Sequence, residues 1–154
     1  MEFIKDERQV VVLLMGIPAS GKSTFCGRYL SHYMRINLDT LKTRHRETIA
    51  LEEAFADNQS VVVDNTNVTK AEREKYINMA KEKGYAVAGF FFQSNVKSCV
   101  ARNNEREGEA RVPAKAIAAK SNQLEIPNYD EGFDRLYYVR IADNDFEITD
   151  WKTE

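Results

Sequence analysis

Gly16-Ile17-Pro18-Ala19-Ser20-Gly21-Lys22-Ser23 constrains this chain more than any other stretch. It matches G-x-x-x-x-G-K-[ST] in full. Before it stands Val10-Val11-Val12-Leu13-Leu14-Met15, an apolar run without alternation, as a strand buried on both faces requires. After it, Lys22 to about Ser31 reads as a helix. A glycine-rich turn between a strand and a helix points backbone N–H groups at an anion, and the helix dipole adds positive potential. Gly16, Ala19, Ser20 and Gly21 would cradle the phosphates of ATP or another nucleoside triphosphate, with Thr24 closing the site. Lys22 would reach the β- and γ-phosphates, and the Ser23 hydroxyl would face Mg²⁺. An ordinary glycine-rich turn is the competing reading, and the strand and helix on either side argue against it. The pattern does not name the group that receives the phosphate.

The remaining chain alternates between strand and helix patterns. Met34–Leu38, Val61–Val63, Tyr85–Phe92 and Leu136–Ile141 read as strands, and Phe146–Thr149 as an edge. Asp39 to about Ala56 reads as one helix. Thr69–Lys83 is another, with Thr69 and Glu72 in capping-box spacing and Gly84 at the stop. Val96–Glu107 and Pro113–Glu125 read as helices around a polar hinge at Gly108 and Glu109, and Pro127, Asn128 and Asp130 as a loop. Such alternation predicts an α/β fold: a three-layer, P-loop NTPase-type, mostly parallel sheet with flanking helices and a helical lid over about residues 100–120. At 154 residues, residues 1–154 are expected to form a single domain.

The acceptor is the open question, and Asp39 bears on it most directly. It ends Arg35-Ile36-Asn37-Leu38-Asp39, and ligands of open α/β sheets sit beyond the carboxyl ends of the strands. A kinase for hydroxyl groups needs a base there. A helix N-cap would also account for an aspartate at this position. Lys42 and Arg46, three and seven residues on, would share one helical face and, with Arg44 and His45, could contact a phosphodiester. A solvated face balanced by Glu47, Glu52 and Glu53 is the plainer reading. Asp64-Asn65-Thr66-Asn67 has the form of the Mg²⁺-linked acidic motif, with Asp64, Asn65 and Asn67 available to orient substrate, although the same residues suit a turn. Arg102, Arg106 and Arg111 fall in and after a helix near the hinge, where a closing segment would stabilise transferring phosphate, or where they pair with Glu105, Glu107 and Glu109.

A net charge of −2 excludes a global basic field, so a polyanion would have to bind a local patch. Cys26 and Cys99 have neither metal-ligand spacing nor a disulfide framework, and free thiols predict an intracellular, cytoplasmic chain. Met1 to Glu7 does not read as a signal peptide, and no apolar run approaches a membrane span, so no membrane is expected as a partner.

Taken together, these elements resemble the kinase module of the polynucleotide kinase/phosphatase family, the 5′-end repair enzymes. The resemblance rests on Gly16–Thr24, Asn37-Leu38-Asp39-Thr40-Leu41-Lys42, Val63-Asp64-Asn65-Thr66-Asn67, Arg73 and Tyr76. It continues through Arg102-Asn103-Asn104-Glu105-Arg106, Val112-Pro113, and Pro127 with Glu131-Gly132-Phe133. It implies an ATP-dependent polynucleotide 5′-hydroxyl kinase for DNA or RNA ends, with Asp39 as general base and Lys22, Asp39 and Arg106 as catalytic residues. Arg106 would be the lid arginine on the transferring phosphate and Arg102 would lie near the nucleotide. Asp64 or Asn65 would contact substrate. Lys42 stands where the family often has arginine, which keeps the charge and loses the bidentate fork. The family's Asp-x-Asp-Gly-Thr phosphatase motif does not occur, so the kinase module is expected without the phosphatase; nothing indicates a partner protein, although such a module could work with a separate ligase or phosphatase.

Two other readings share many of these residues. One is a P-loop kinase of a small molecule, of a sugar nucleotide (zeta-toxin-like) or of aminoacyl-tRNA, which would need a closed pocket rather than a basic channel. The other is a non-catalytic nucleotide-binding module, which would have no use for an acceptor base.

Overall fold

The computed structural model describes residues 6–152; the first residues of the amino-terminal stretch weighed above as a leader lie outside the described residues. Six strands form one sheet in the order β2-β3-β1-β4-β5-β6. They are β1 (Val10–Met15), β2 (Met34–Ile36), β3 (Val61–Val63), β4 (Ala86–Phe92), β5 (Arg135–Ala142) and β6 (Asp145–Asp150). All neighbours pair in parallel except β5 and β6, which are antiparallel. The β-branched runs thus became the centre of the sheet: every residue of β1, β3 and β4 is buried, while β2 and β6 at the edges are largely exposed.

Alternation along β1 divides the core into two layers. Val11, Leu13 and Met15 pack with Leu51, Ala54, Tyr76, Ile77 and Ala80, which come from α3 (Arg44–Ala56) and α4 (Lys70–Glu82). Val10, Val12 and Leu14 pack on the opposite face with Phe25, Cys26 and Leu30 of and just after α1 (Lys22–Tyr29). A smaller cluster of Ile17, Ala19, Cys99 and Ile117 seats α5 (Val96–Asn103) and α6 (Ala114–Gln123) against the cradle loop. Gly89 makes the close packing of β4 possible. A methyl group there would come within 2.6 Å of Phe133 and 2.8 Å of both Leu136 and Met15.

One expected helix is two. The helical pattern from Asp39 to Ala56 breaks at Lys42, whose φ is 77°, into α2 (Leu38–Leu41) and α3. Two side-chain caps explain the break: Asn37 accepts from the Thr40 amide, and Thr43 accepts from the Arg46 amide to start α3 afresh. Lys42 and Arg46 therefore do not share one helical face. Strand β2 also stops two residues short of Leu38, because Asn37 serves as a cap. At α4 the Thr69 hydroxyl accepts from the Glu72 amide, and Gly84 beyond its end has a φ of 74°, both where the sequence places them.

Candidate active site

The first connection from β1 passes beyond β3 to β2, and the connection out of β3 crosses back to β4 on the far side of β1. Connections that diverge in this way open a crevice at the carboxyl end of the central strand. The cradle loop fills that position. Gly16 donates its amide to the Thr66 carbonyl at 2.9 Å, tying the loop to the segment after β3. Gly21 caps α1 with φ 102°, and a methyl group there would stand 3.0 Å from Phe146 and 3.2 Å from Ile141. The loop also holds Ala19 at φ 65°, the kind of strained backbone that collects at ligand sites.

Lys22 is buried at the centre of the loop, where its ammonium donates to the carbonyls of Gly16 and Ile17 at 2.8 Å each and to Ser20 Oγ at 3.3 Å. Burial pushes its pKa down to about 8, against an opposing pull from Asp64, and the positive charge of Arg106 lowers it further. Ser23 and Thr24 lie in the first turn of α1 and are exposed.

Asp64 ends β3 with a carboxylate that is 2% exposed, and Ser23 Oγ donates to its Oδ2 at 2.9 Å. A hydroxyl beside a buried carboxylate at the phosphate cradle fits a nucleotide-bound divalent cation. The described residues contain no cluster of three or more His, Cys, Asp or Glu side chains suited to a metal, so such an ion would depend on the nucleotide for its remaining ligands.

Asp39 sits in the first turn of α2. Asn37, not Asp39, is the cap, so the Asp39 carboxylate is exposed and bonds to no side chain among the described residues. Its loop is held from below. Asn37 Nδ2 donates to the Asp64 carbonyl at 2.6 Å, and Asn65 Oδ1 accepts from the Leu38 amide at 2.9 Å. Asn65 Nδ2 in turn donates to Glu47 Oε2 at 3.1 Å and contacts the Tyr76 hydroxyl at 3.3 Å. Glu47 is fully buried and also accepts from Arg44, Lys75 and Tyr76. Burial alone would raise its pKa, but hydrogen bonds from Lys75 and Tyr76 outweigh this and hold it below the ordinary value.

Two asparagines expected to touch substrate make bonds within the protein. Asn67 is buried at φ 45° and donates to the carbonyls of Leu14 at 2.8 Å and Val63 at 3.4 Å, joining the ends of β1 and β3. Asn65 holds the Asp39 loop, as described. Lys42 is exposed on the kink just after Asp39, and Arg44 turns back to Glu47 and the Tyr76 hydroxyl.

The lid segment meets the cradle from the other side. Arg102 Nε donates to the Ala19 carbonyl at 2.7 Å, which pins α5 to the phosphate loop. Buried Asn103 donates to the Val112 carbonyl at 2.6 Å and accepts its amide at 3.0 Å, closing residues 104–111 into a stapled loop. Arg106 is carried on that loop, where Nη1 donates to the Ala110 carbonyl at 3.2 Å. The helices are shorter than their sequence pattern. The first stops at Asn103 because its side chain is committed to Val112, and the second starts after Pro113. Ser20, Gln93, Asn95, Ser98, Arg102 and Ile141 line a small cleft beside the cradle, and Gln93, Asn95 and Ser98 carried no sequence signal. Cys26 and Cys99 are buried free thiols, and burial pushes Cys26 up to about 11 and Cys99 upward as well. No helix of the described residues is long and apolar enough to cross a membrane.

A parallel sheet of this order, a phosphate cradle at its central strand and a helical segment over it define a P-loop nucleotide-binding protein with the kinase-type fold. Residues 11–127 match the family model described as an AAA domain, and the chain belongs to that family. It is 33% identical over 144 residues to a bifunctional polynucleotide phosphatase/kinase of Schizosaccharomyces pombe, covering 89% of this chain and 35% of that protein. It is 31% identical over 143 residues to a putative bifunctional polynucleotide phosphatase/kinase of Acanthamoeba polyphaga mimivirus, covering 88% and 34%. The chain thus spans about a third of the length of these relatives. Kti12 of Chaetomium thermophilum, solved in complex with ADP-AlF3, shares the fold with a TM-score of 0.66 at 18% identity, over 86% of this chain and 90% of that one.

Proposed function

We propose that this chain is an ATP-dependent polynucleotide 5′-hydroxyl kinase. The observation that carries the reading is the Asp39 carboxylate, which is exposed beyond β2, freed from capping by Asn37, and set on a loop braced by Asn65 and Glu47. A nucleotide-binding module has no need for such a group. The names of the two relatives support a polynucleotide end as the acceptor.

Asp39 orients the 5′-hydroxyl and accepts its proton as the oxygen attacks the γ-phosphorus in line. The bond from that phosphorus to the β–γ bridging oxygen breaks, and ADP leaves. Lys22 and Arg106 stabilise the charge on the transferring group, with Arg102 holding the lid to the loop. Ser23 and Asp64 would hold Mg²⁺, which neutralises phosphate charge when bound. Lys42 supplies a cation for the phosphate next to the acceptor.

The test is transfer of labelled γ-phosphate from ATP to matched 5′-hydroxyl DNA and RNA oligonucleotides, with Asp39→Asn as control. Label on the oligonucleotide that is lost in the variant supports the proposal and ranks the two acceptors. Bound ATP with no label on either oligonucleotide overturns it, in favour of a small-molecule, sugar-nucleotide or aminoacyl-tRNA acceptor.

A further inference from the structure

Arg35 has no role in the mechanism above, yet it holds both protein groups that a nucleotide-bound cation would use. It lies in edge strand β2, and its guanidinium crosses the end of β3. Nε donates to Asp64 Oδ2 at 2.9 Å, and Nη2 lies 2.8 Å from the same oxygen. Nη2 is also 3.4 Å from Ser23 Oγ. The single hydrogen of Ser23 Oγ goes to Asp64 Oδ2 as well. Three donors therefore converge on one carboxylate oxygen.

The two partners differ in freedom. The Asp64 side chain is 2% exposed and cannot move far, whereas the Arg35 side chain is 42% exposed on the sheet edge. A serine hydroxyl that donates to a carboxylate can still give a lone pair to a cation. Here, however, a guanidinium stands against that same hydroxyl. Two like-charged groups a few ångströms apart repel even when the surroundings screen them well. Arg35 and a divalent cation cannot both keep these contacts.

We propose that Arg35 is the displaceable counter-cation of the metal position: it neutralises Asp64 and withdraws when Mg²⁺ binds with nucleotide. The charge balance supplies the reason. Arg35 and Asp64 together are neutral, so Mg²⁺ alone meets little net attraction. The triphosphate brings enough negative charge to hold the metal and to offer Arg35 a new partner. Metal and nucleotide binding thus become linked through one arginine, acting as a positioning residue. The proposal rests on the reading of Ser23 and Asp64 as the cation site, and it is independent of which hydroxyl receives the phosphate.

The experiment titrates Mg²⁺ against binding of a fluorescent, non-hydrolysable ATP analogue in the wild type, Arg35→Gln and Arg46→Gln. Arg46 is exposed in the first turn of α3 and its side chain has no bond to Asp64, so its variant makes the same change in net charge without touching that contact. Displacement predicts that Arg35→Gln lowers the Mg²⁺ concentration for half-maximal binding by about fivefold, a size discounted for the exposure of Arg35. Arg46→Gln should leave it near the wild-type value. A second readout uses the metal alone: Mg²⁺ without nucleotide should raise the Tm of Arg35→Gln more than that of the wild type. An unchanged or higher Mg²⁺ requirement in Arg35→Gln means that Arg35 only braces Asp64, and it overturns the proposal. Equal effects of the two variants assign the change to diffuse charge and overturn it as well. If no nucleotide binds, the Tm shift with Mg²⁺ decides alone. An unlabelled oligonucleotide in the transfer assay refutes the acceptor and leaves this result standing.

Discussion

Tyr76 donates a hydrogen bond to Glu47 Oε1 at 2.8 Å, and this contact between α4 and α3 underlies the loop that carries Asp39. Glu47 Oε2 accepts from Asn65, and Asn65 accepts from Leu38, the residue before Asp39. A buried carboxylate thus sits two hydrogen bonds away from the backbone that carries the proposed base.

Removing that carboxylate leaves the Tyr76 hydroxyl and the Asn65 amide without a buried acceptor, while Lys75 and Arg44 recover water. Glu47→Ala should lose about 2–3 kcal/mol of stability, the cost of stranding buried polar groups. Urea denaturation at neutral pH checks this. The pH dependence has a definite sign. The folded pKa of Glu47 lies below its ordinary value of 4.5, so its contribution is present above that value and is lost as pH falls through the lower folded one. Glu47→Gln should therefore flatten the acid limb of the stability profile below pH 4.5.

Lys22 yields a second pH effect. Its pKa of about 8 reflects burial among carbonyls, and triphosphate oxygens in their place would raise it. A group with a higher pKa in the complex takes up a proton on binding. Nucleotide affinity should be steady below pH 8 and fall as pH rises through and beyond it. Calorimetry in buffers of different ionisation enthalpy at pH 8.5 should register proton uptake, and Lys22→Met should abolish both the uptake and transfer. For the protein without nucleotide the sign is opposite: the unfolded chain holds the Lys22 proton up to its ordinary 10.5, so this residue adds stability as pH rises from about 8.

Much of this architecture was legible because its signals were local. The apolar run Val10–Met15, the Thr69 cap and Gly84 each specify geometry through adjacent residues, and all appear where expected. The break at Lys42 is hidden in the sequence because a helical pattern continues across it, and only the two caps at Asn37 and Thr43 reveal it. The strand, loop and helix of the cradle follow one another as the local pattern predicts. The bonds of Asn65 and Asn67 were not legible, since an asparagine in a turn looks the same whatever its amide faces. Arg35, Glu47 and the cleft residues Gln93 and Asn95 gain meaning only from contacts distant in sequence: Arg35 reaches Asp64 and Glu47 reaches Tyr76. Arg73 and Glu131, two residues that carry the family resemblance, form a packed ion pair at 2.9 Å joining α4 to the turn at Tyr129–Glu131.

The lid offers a third test. Asn103 satisfies both polar groups of Val112, and these bonds are what close the loop bearing Arg106. Asn103→Ala should cost about 1–3 kcal/mol, confined to this segment. Amide hydrogen exchange should accelerate over residues 104–112 and remain unchanged in β1 and β4. Phosphoryl transfer should fall more than nucleotide affinity, because Arg102 keeps its bond to Ala19 while Arg106 loses its fixed place.

Lys42 combines backbone strain with a proposed substrate contact, and the two can be separated. Its φ of 77° is unfavourable for any residue with a Cβ, and it is exposed between Asp39 and the start of α3. Glycine relieves that strain, so Lys42→Gly should stabilise the fold by about 1 kcal/mol, read as a rise in the urea midpoint. The same change removes the cation nearest to Asp39 in the sequence. Oligonucleotide affinity should fall for all sequences alike, and the slope of log affinity against log salt should shrink by about one contact. Lys42→Arg should keep that slope and the strain together. A gain in stability without any loss of affinity would show that Lys42 has no part in binding the acceptor.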